Sequence, residues 1–239
     1  MNINICKDAA DLGKKAATQA AAYLNEVIGK NGYARIVLST GSSQFETLSA
    51  LIESDVDWSK VEMFHLDEYV GLPESHIASF RKYLKERFIS KINLLDYHLV
   101  DGNPDSIPEL TRLLREKDVD LGLIGIGENG HIAFNDPPAD FDTKEAYIVV
   151  NLDDACKNQQ VGEGWFPTID DVPKQAISMT VYQILKCKKI ITCVPHEVKA
   201  KAIYATLNNE ISNMVPATML RTHPDWSLYI DENSAKLIK

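Results

Sequence analysis

Apolar positions between residues 8 and 28, "DAADLGKKAATQAAAYLNEVI", recur every three to four residues, the period of one buried helical face. After Gly32 the period changes. "YARIVLST" is a short β-branched run that ends at Gly41, as a buried strand would. The same exchange of periods continues along the chain. Helices are predicted over 44–53, 77–88, 107–117 and 197–208, and strands over 61–67, 119–125, 145–150, 175–181, 188–194 and 226–231. Helix alternating with strand predicts an α/β protein with a mostly parallel sheet, whose ligands lie beyond the carboxyl ends of the strands. No repeat, low-complexity tract or linker divides the 239 residues, so one domain over 1–239 is expected. The least regular stretch, residues 152–173 with Trp165 and Phe166, reads either as a lid over a site or as a surface loop pinned by two aromatics.

Composition narrows the partners. With 45% hydrophobic and 25% charged residues the chain has an ordinary globular balance, and its net charge of -9 disfavours nucleic acid and anionic membranes. No apolar run approaches a membrane span, and the N-terminus lacks a signal-type run. The four cysteines show neither zinc spacing nor C-x-x-C, which fits a reducing cytoplasm. Cys187 and Cys193, six positions apart, are expected to be buried on one strand face.

Three stretches carry candidate chemistry at predicted strand ends. Thr40, Gly41, Ser42, Ser43 and Gln44 form a small, hydroxyl-rich turn into a helix, suited to cradling phosphate but lacking the G-K-[ST] ending of a Walker loop. In "FHLDEYVGL", Asp67 and Glu68 close a strand and point to opposite faces, so at most one enters a shared cleft. A shielded carboxylate there can take a proton from carbon beside a carbonyl. His65 is read as packing. In "GIGENGHIAFNDPP", Gly125, Gly127 and Gly130 fit G-x-G-x-x-G, but the prolines forbid the helix a dinucleotide site needs. The same turn offers Asn129, His131 and Asp136, an acid/base histidine with an amide and a carboxylate to orient it.

Together these stretches resemble the glucosamine-6-phosphate deaminase (isomerase) family, which shares its fold with the 6-phosphogluconolactonases. D-E-Y-V-G-L and G-x-N-G-H-I-A-F-N are its specific motifs here, and the likeness runs on through "VPKQAISMTV" to "LRTHPDWSLYID". The resemblance implies a Rossmann-like three-layer sandwich that needs no metal or other cofactor and converts an amino-sugar 6-phosphate to the ketose phosphate and ammonia. It assigns Asp67 to proton transfer between carbons 1 and 2, His131 to ring opening, and Thr40 to Gln44 with Lys199 to the phosphate.

Asn129 and Asp136 stand where the best-known members carry Asp and Glu. No arginine in "ACKNQQVGEGWF" answers the lid arginine of many members, and the basic residues of the regulatory N-acetyl-sugar site are missing from "ADFDTKEAYIVV". Two alternatives stay open: a sugar-phosphate lactonase, and a catalytically silent sugar-phosphate sensor. The first lacks its expected serine and threonine, since Ile132 and Ala133 follow His131. The sequence distinguishes neither the glucosamine from the galactosamine epimer nor a monomer from a homo-oligomer.

Overall fold

The computed structural model describes residues 1–238. Ten strands run in chain order: β1 (Asn2–Cys6), β2 (Ala34–Leu38), β3 (Val61–His65), β4 (Asp67–Tyr69), β5 (Asp96–His98), β6 (Leu121–Ile124), β7 (Tyr147–Asn151), β8 (Gln175–Met179), β9 (Lys189–Val194) and β10 (Trp226–Asp231). Seven α-helices intervene: α1 (Ala9–Asn31), α2 (Phe45–Ile52), α3 (Phe80–Arg87), α4 (Ile107–Arg115), α5 (Asp154–Gly162), α6 (Val181–Ile184) and α7 (Ala200–Asn208). Seven strands form one parallel sheet in the order β1-β10-β9-β6-β2-β3-β5. The other three make a small antiparallel sheet, β4-β8-β7.

Two apolar layers cover the main sheet. Successive strand residues alternate between them: Ile36 and Leu38 pack with α1 and α2, whereas Val37 packs on the opposite side with Leu110 of α4 and Ile203 of α7. That is the period of two expected of strands buried on both faces. Helix α1 fits its layer because small side chains, Ala16, Ala17, Ala20 and Ala21, form its buried stripe. Asp8 caps its start by accepting from the Asp11 amide, and Gly32, at φ 81°, ends it in the left-handed conformation. Gly13 permits the approach of α2, since a Cβ there would lie 2.6 Å from the Glu46 carbonyl carbon.

Several expectations need correction. The continuous run 61–67 is two strands in different sheets, so Asp67 and Glu68 belong to a strand that pairs with β8 and not to β3. The segments 145–150 and 175–181 supply β7 and β8 to the antiparallel sheet, while β1 and β5 had no clear signal. The least regular stretch, 152–173, carries a helix, α5, in its first half. Cys187 precedes β9 in a turn, so it packs in one apolar layer and Cys193 in the other, on opposite sides of the sheet.

The strand ends lie level. Leu38 stands beside His65, Ile124 beside Thr192 and Val194 beside Ile230, which brings the segments following β2, β3, β6 and β9 to one rim.

Candidate functional site

At that rim a narrow cavity of about 70 Å³ is lined by the turn after β2, by Asp67, by Gly125–Gly127 and His131 after β6, and by Lys199 before α7. Gln159, Gln160 and Glu163 of the α5 region also line it.

The turn after β2 is bent by Gly41, whose φ of 98° and ψ of 166° suit glycine alone. A single 3-10 turn, Ser42–Gln44, then leads into α2. The first N–H groups of such a helical start have no intrahelical acceptor, so the turn offers donors and hydroxyls to an anion. Thr40, Gly41, Ser42 and Ser43 line the cavity. Gln44 does not. Its buried side-chain amide donates to the Cys193 carbonyl and to Ser43 Oγ, both at 3.0 Å, so it braces the turn from behind instead of reaching a ligand.

Lys199 sits opposite, with 5% of its surface exposed, and makes no ion pair among the described residues. Burial lowers its pKa, an effect opposed by the charges of Glu163 and Glu128. His196, with a φ of 79°, turns the chain into the 3-10 segment that ends at Lys199. The other non-glycine residue of positive φ, Ala133 at 49°, lines the same cavity. Both strained residues therefore flank one site, where such strain tends to collect.

Asp67 and Glu68 part company. The Glu68 carboxylate is buried away from the cavity, accepting from Ser79 Oγ at 2.9 Å, from the Arg81 amide at 3.0 Å and from Arg81 Nε at 3.2 Å. Asp67 faces the cavity. Burial pushes its pKa well above the ordinary carboxylate range, and the charges of Glu68 and Asp136 push in the same direction. His65, behind it, is wholly buried against Phe80 with both ring nitrogens unpartnered, and burial pushes its pKa down to about 3. A neutral packing ring fits that environment.

The glycine-rich turn serves His131. A Cβ on Gly127 would lie 2.2 Å from His131 Cε1, so the ring occupies space that only glycine leaves free. His131 Nδ1 lies 3.1 Å from Asp136 Oδ1, although the angles are too oblique for a formed hydrogen bond. Asn129 makes no hydrogen bond to the ring. Its Oδ1 accepts from the His131 backbone N–H at 3.0 Å, so the amide shapes the turn while the carboxylate lies beside the imidazole. Asn135 ties the turn to the small sheet by donating to the Met179 carbonyl at 2.8 Å.

Sequence patterns missed the residues contributed by α5. Gln160 accepts from Tyr69 Oη at 2.8 Å, and Phe166 beyond the helix packs edge-on against Tyr69. Glu163 accepts from Ser42 Oγ at 3.2 Å. Cys156 lies buried beside the His131–Asp136 pair. None of these had a signal beyond the residue type.

A buried carboxylate, a histidine and a buried lysine thus share one cavity with a hydroxyl-rich turn. Residues 7–228 match the family model described as "Glucosamine-6-phosphate isomerases/6-phosphogluconolactonase". The chain is 35% identical to a glucosamine-6-phosphate deaminase of Shouchella clausii (strain KSM-K16), over 99% of this chain and 97% of that one. It is 32% identical to one of Lactobacillus delbrueckii subsp. bulgaricus, over the full length of both. A solved monomeric glucosamine-6-phosphate deaminase superposes with a TM-score of 0.91 at 30% identity, over 99% of this chain and 100% of that one. A 6-phosphogluconolactonase structure from Thermotoga maritima, at 15% identity and a TM-score of 0.80 over 97% of this chain and 99% of that one, shares the fold. The chain therefore belongs to the glucosamine-6-phosphate isomerase/6-phosphogluconolactonase family.

Proposed function

We propose that this protein converts glucosamine 6-phosphate and water to fructose 6-phosphate and ammonia. The observation that carries the reading is the meeting of Asp67, His131 and Lys199 on one cavity in a chain that belongs to this family. The phosphate rests against Thr40, Gly41, Ser42 and Ser43 and faces Lys199, which supplies the local positive charge that a chain of net charge -9 must concentrate. His131 moves a proton from the carbon-1 hydroxyl to the ring oxygen, which opens the sugar. Asp67 then removes the proton from carbon 2 and returns it to carbon 1, while the carbon-1 oxygen takes up the proton that the substrate's ammonium gives off, leaving a hydroxyl on carbon 1 and an imine at carbon 2. Water adds to that carbon and ammonia departs.

Every protein group named in this scheme is a side chain or backbone group of this chain, and those groups transfer protons only. Asp136 steadies the imidazole, and Asn129 and Gln44 act one step back by shaping the turns. Helix α5 is the lid of this proposal. Its Gln159 and Gln160 line the cavity, and the helix moves outward to admit substrate and back to shield it. Ala133 lines the cavity where a lactonase would be expected to place a hydroxyl, and nothing else in the site favours the hydrolase.

An ammonia-release assay with glucosamine 6-phosphate and galactosamine 6-phosphate, with the lactone in parallel and chelator present, tests the reading. Ammonia from the glucosamine epimer is expected. Lactone hydrolysis with no ammonia from either epimer would replace this function with the hydrolase.

A further inference from the structure

The reaction proposed above makes no use of Cys156. Its sulfur, a ring nitrogen of His131 and a carboxylate oxygen of Asp136 all lie within 4.8 Å of one another, the one grouping of this kind among the described residues. All three side chains are shielded: Cys156 is 1% exposed, and the His131 and Asp136 side chains are 10% and 5% exposed. His131 Nδ1 and Asp136 Oδ1, 3.1 Å apart, are buried and form no hydrogen bond with each other or with any other group. Buried unpaired polar atoms are costly, and one cation would satisfy both together with the sulfur.

We propose that His131, Asp136 and Cys156 bind a single divalent cation of the zinc or cadmium class, and that its binding switches the enzyme off. The donor set selects the metal. Thiolate and imidazole favour borderline and soft cations, while one carboxylate is too little for magnesium or calcium, which take oxygen ligands. On binding, the Cys156 thiol releases its proton to the buffer and a sulfur–metal bond forms. Thiolate and carboxylate then cancel the two positive charges, so no net charge is left in a shielded site. Water from the cavity fills the fourth tetrahedral position.

Geometry also explains the inhibition. Metal–ligand bonds of about 2.0 to 2.3 Å would tether α5, the carrier of Cys156, to His131 and Asp136 in the segment after β6. The metal therefore takes the histidine assigned to ring opening and ties α5 to it. Metal binding follows from the donor geometry alone, whereas the loss of turnover rests on the function proposed above.

The test is titration of the metal-stripped full-length protein with cadmium, read by the ultraviolet thiolate-to-cadmium charge-transfer band. A band that saturates at one equivalent, is displaced by zinc and is absent from Cys156→Ser is expected. In the ammonia assay Cys156→Ser should keep the parent turnover and require at least about tenfold more zinc for half-inhibition, the least that loss of a direct ligand should cost. Asp136→Asn retains the thiol and should shift the cadmium midpoint by at least about tenfold as well. That variant decides the matter if Cys156→Ser does not fold. Absence of the band from the parent, its survival in Cys156→Ser, or an unmoved midpoint in Asp136→Asn overturns the site. A protein that releases no ammonia yet gives the one-equivalent band keeps the site and loses the function.

Discussion

Glu163 Oε2 accepts a hydrogen bond from Ser42 Oγ at 3.2 Å and another from Trp165 Nε1 at 3.1 Å. A carboxylate at the end of α5 therefore rests on the turn assigned to the phosphate. It also lies near enough to Lys199 to favour the charged ammonium. In the proposed reaction this carboxylate holds the phosphate's place while the site is empty and must leave when substrate binds. Glu163→Gln preserves the shape and removes the competing charge. KM should fall by roughly twofold to tenfold, the worth of about 0.5 to 1.5 kcal/mol, with kcat little changed. An unchanged or higher KM would show that Glu163 does not compete with phosphate.

Lys199 supplies the opposing charge. Lys199→Ala removes one charge-assisted contact worth about 1.5 to 3 kcal/mol, so KM should rise roughly tenfold to 150-fold. Because burial lowers the pKa of this ammonium, its grip on phosphate should weaken at a lower pH than a solvated lysine would allow. A pH series of KM checks this. In Lys199→Ala the alkaline rise should vanish, and a persistent rise would assign it to another group.

Helix α1 and strands β2, β6 and β9 were legible because each buries a regular apolar pattern over its full length. The break between β3 and β4 was not, because "VEMFHLD" has no turn residue. What divides it is the pairing of Asp67 with Ser178 in a distant strand. Helix α5 was hidden for a related reason. Only Cys156 and Gln160 of its nine residues are buried, so it has no apolar stripe to read and is held by Tyr69 and the following Phe166. The candidate site divides in the same way. Asp67, His131 and the hydroxyl turn stand out as reactive residue types at strand ends. The back-facing amide of Gln44 and the contact of Glu163 with Ser42 depend on tertiary packing, which leaves no trace in local spacing.

Arg35 separates stability from activity. Its buried guanidinium donates to Glu62 Oε2 at 2.7 Å, to the carbonyls of Leu113 at 2.7 Å and Leu114 at 2.9 Å, and to that of Lys117. It lies over the Phe64 ring and ties the end of α4 to the sheet, at the opposite end of the strands from the cavity. Arg35→Met should cost about 3 to 5 kcal/mol, because it leaves Glu62 Oε2 and several carbonyls without their donor. Denaturant unfolding measures this, and the kcat of the folded fraction should stay near the parent value. A loss below about 1 kcal/mol would mean that water replaces the guanidinium.

Asp67 carries the most specific expectation, since one buried carboxylate governs activity and stability in opposite directions. As a base it must be ionised, and its pKa is raised by burial and then by the charges of Glu68 and Asp136. Activity should therefore climb with pH through an inflection well above about 4, the ordinary carboxylate value. Stability has the reverse sign. Between the unfolded and folded pKa values the native state holds more protons than the unfolded chain, so this group's contribution is complete below the unfolded value and is lost as pH rises through the folded one. Asp67→Asn removes that loss. It should melt higher than the parent at pH 8, with a smaller gap at pH 4, while turnover falls roughly 100-fold to 10,000-fold. Exchange of the carbon-2 proton with deuterated solvent isolates the chemical step. Asp67→Asn should abolish exchange in glucosamine 6-phosphate and in an acyclic analogue alike. His131→Gln, impaired only in ring opening, should spare the acyclic compound. Normal exchange in Asp67→Asn would remove Asp67 as the base and leave the proton transfer to another group on the cavity.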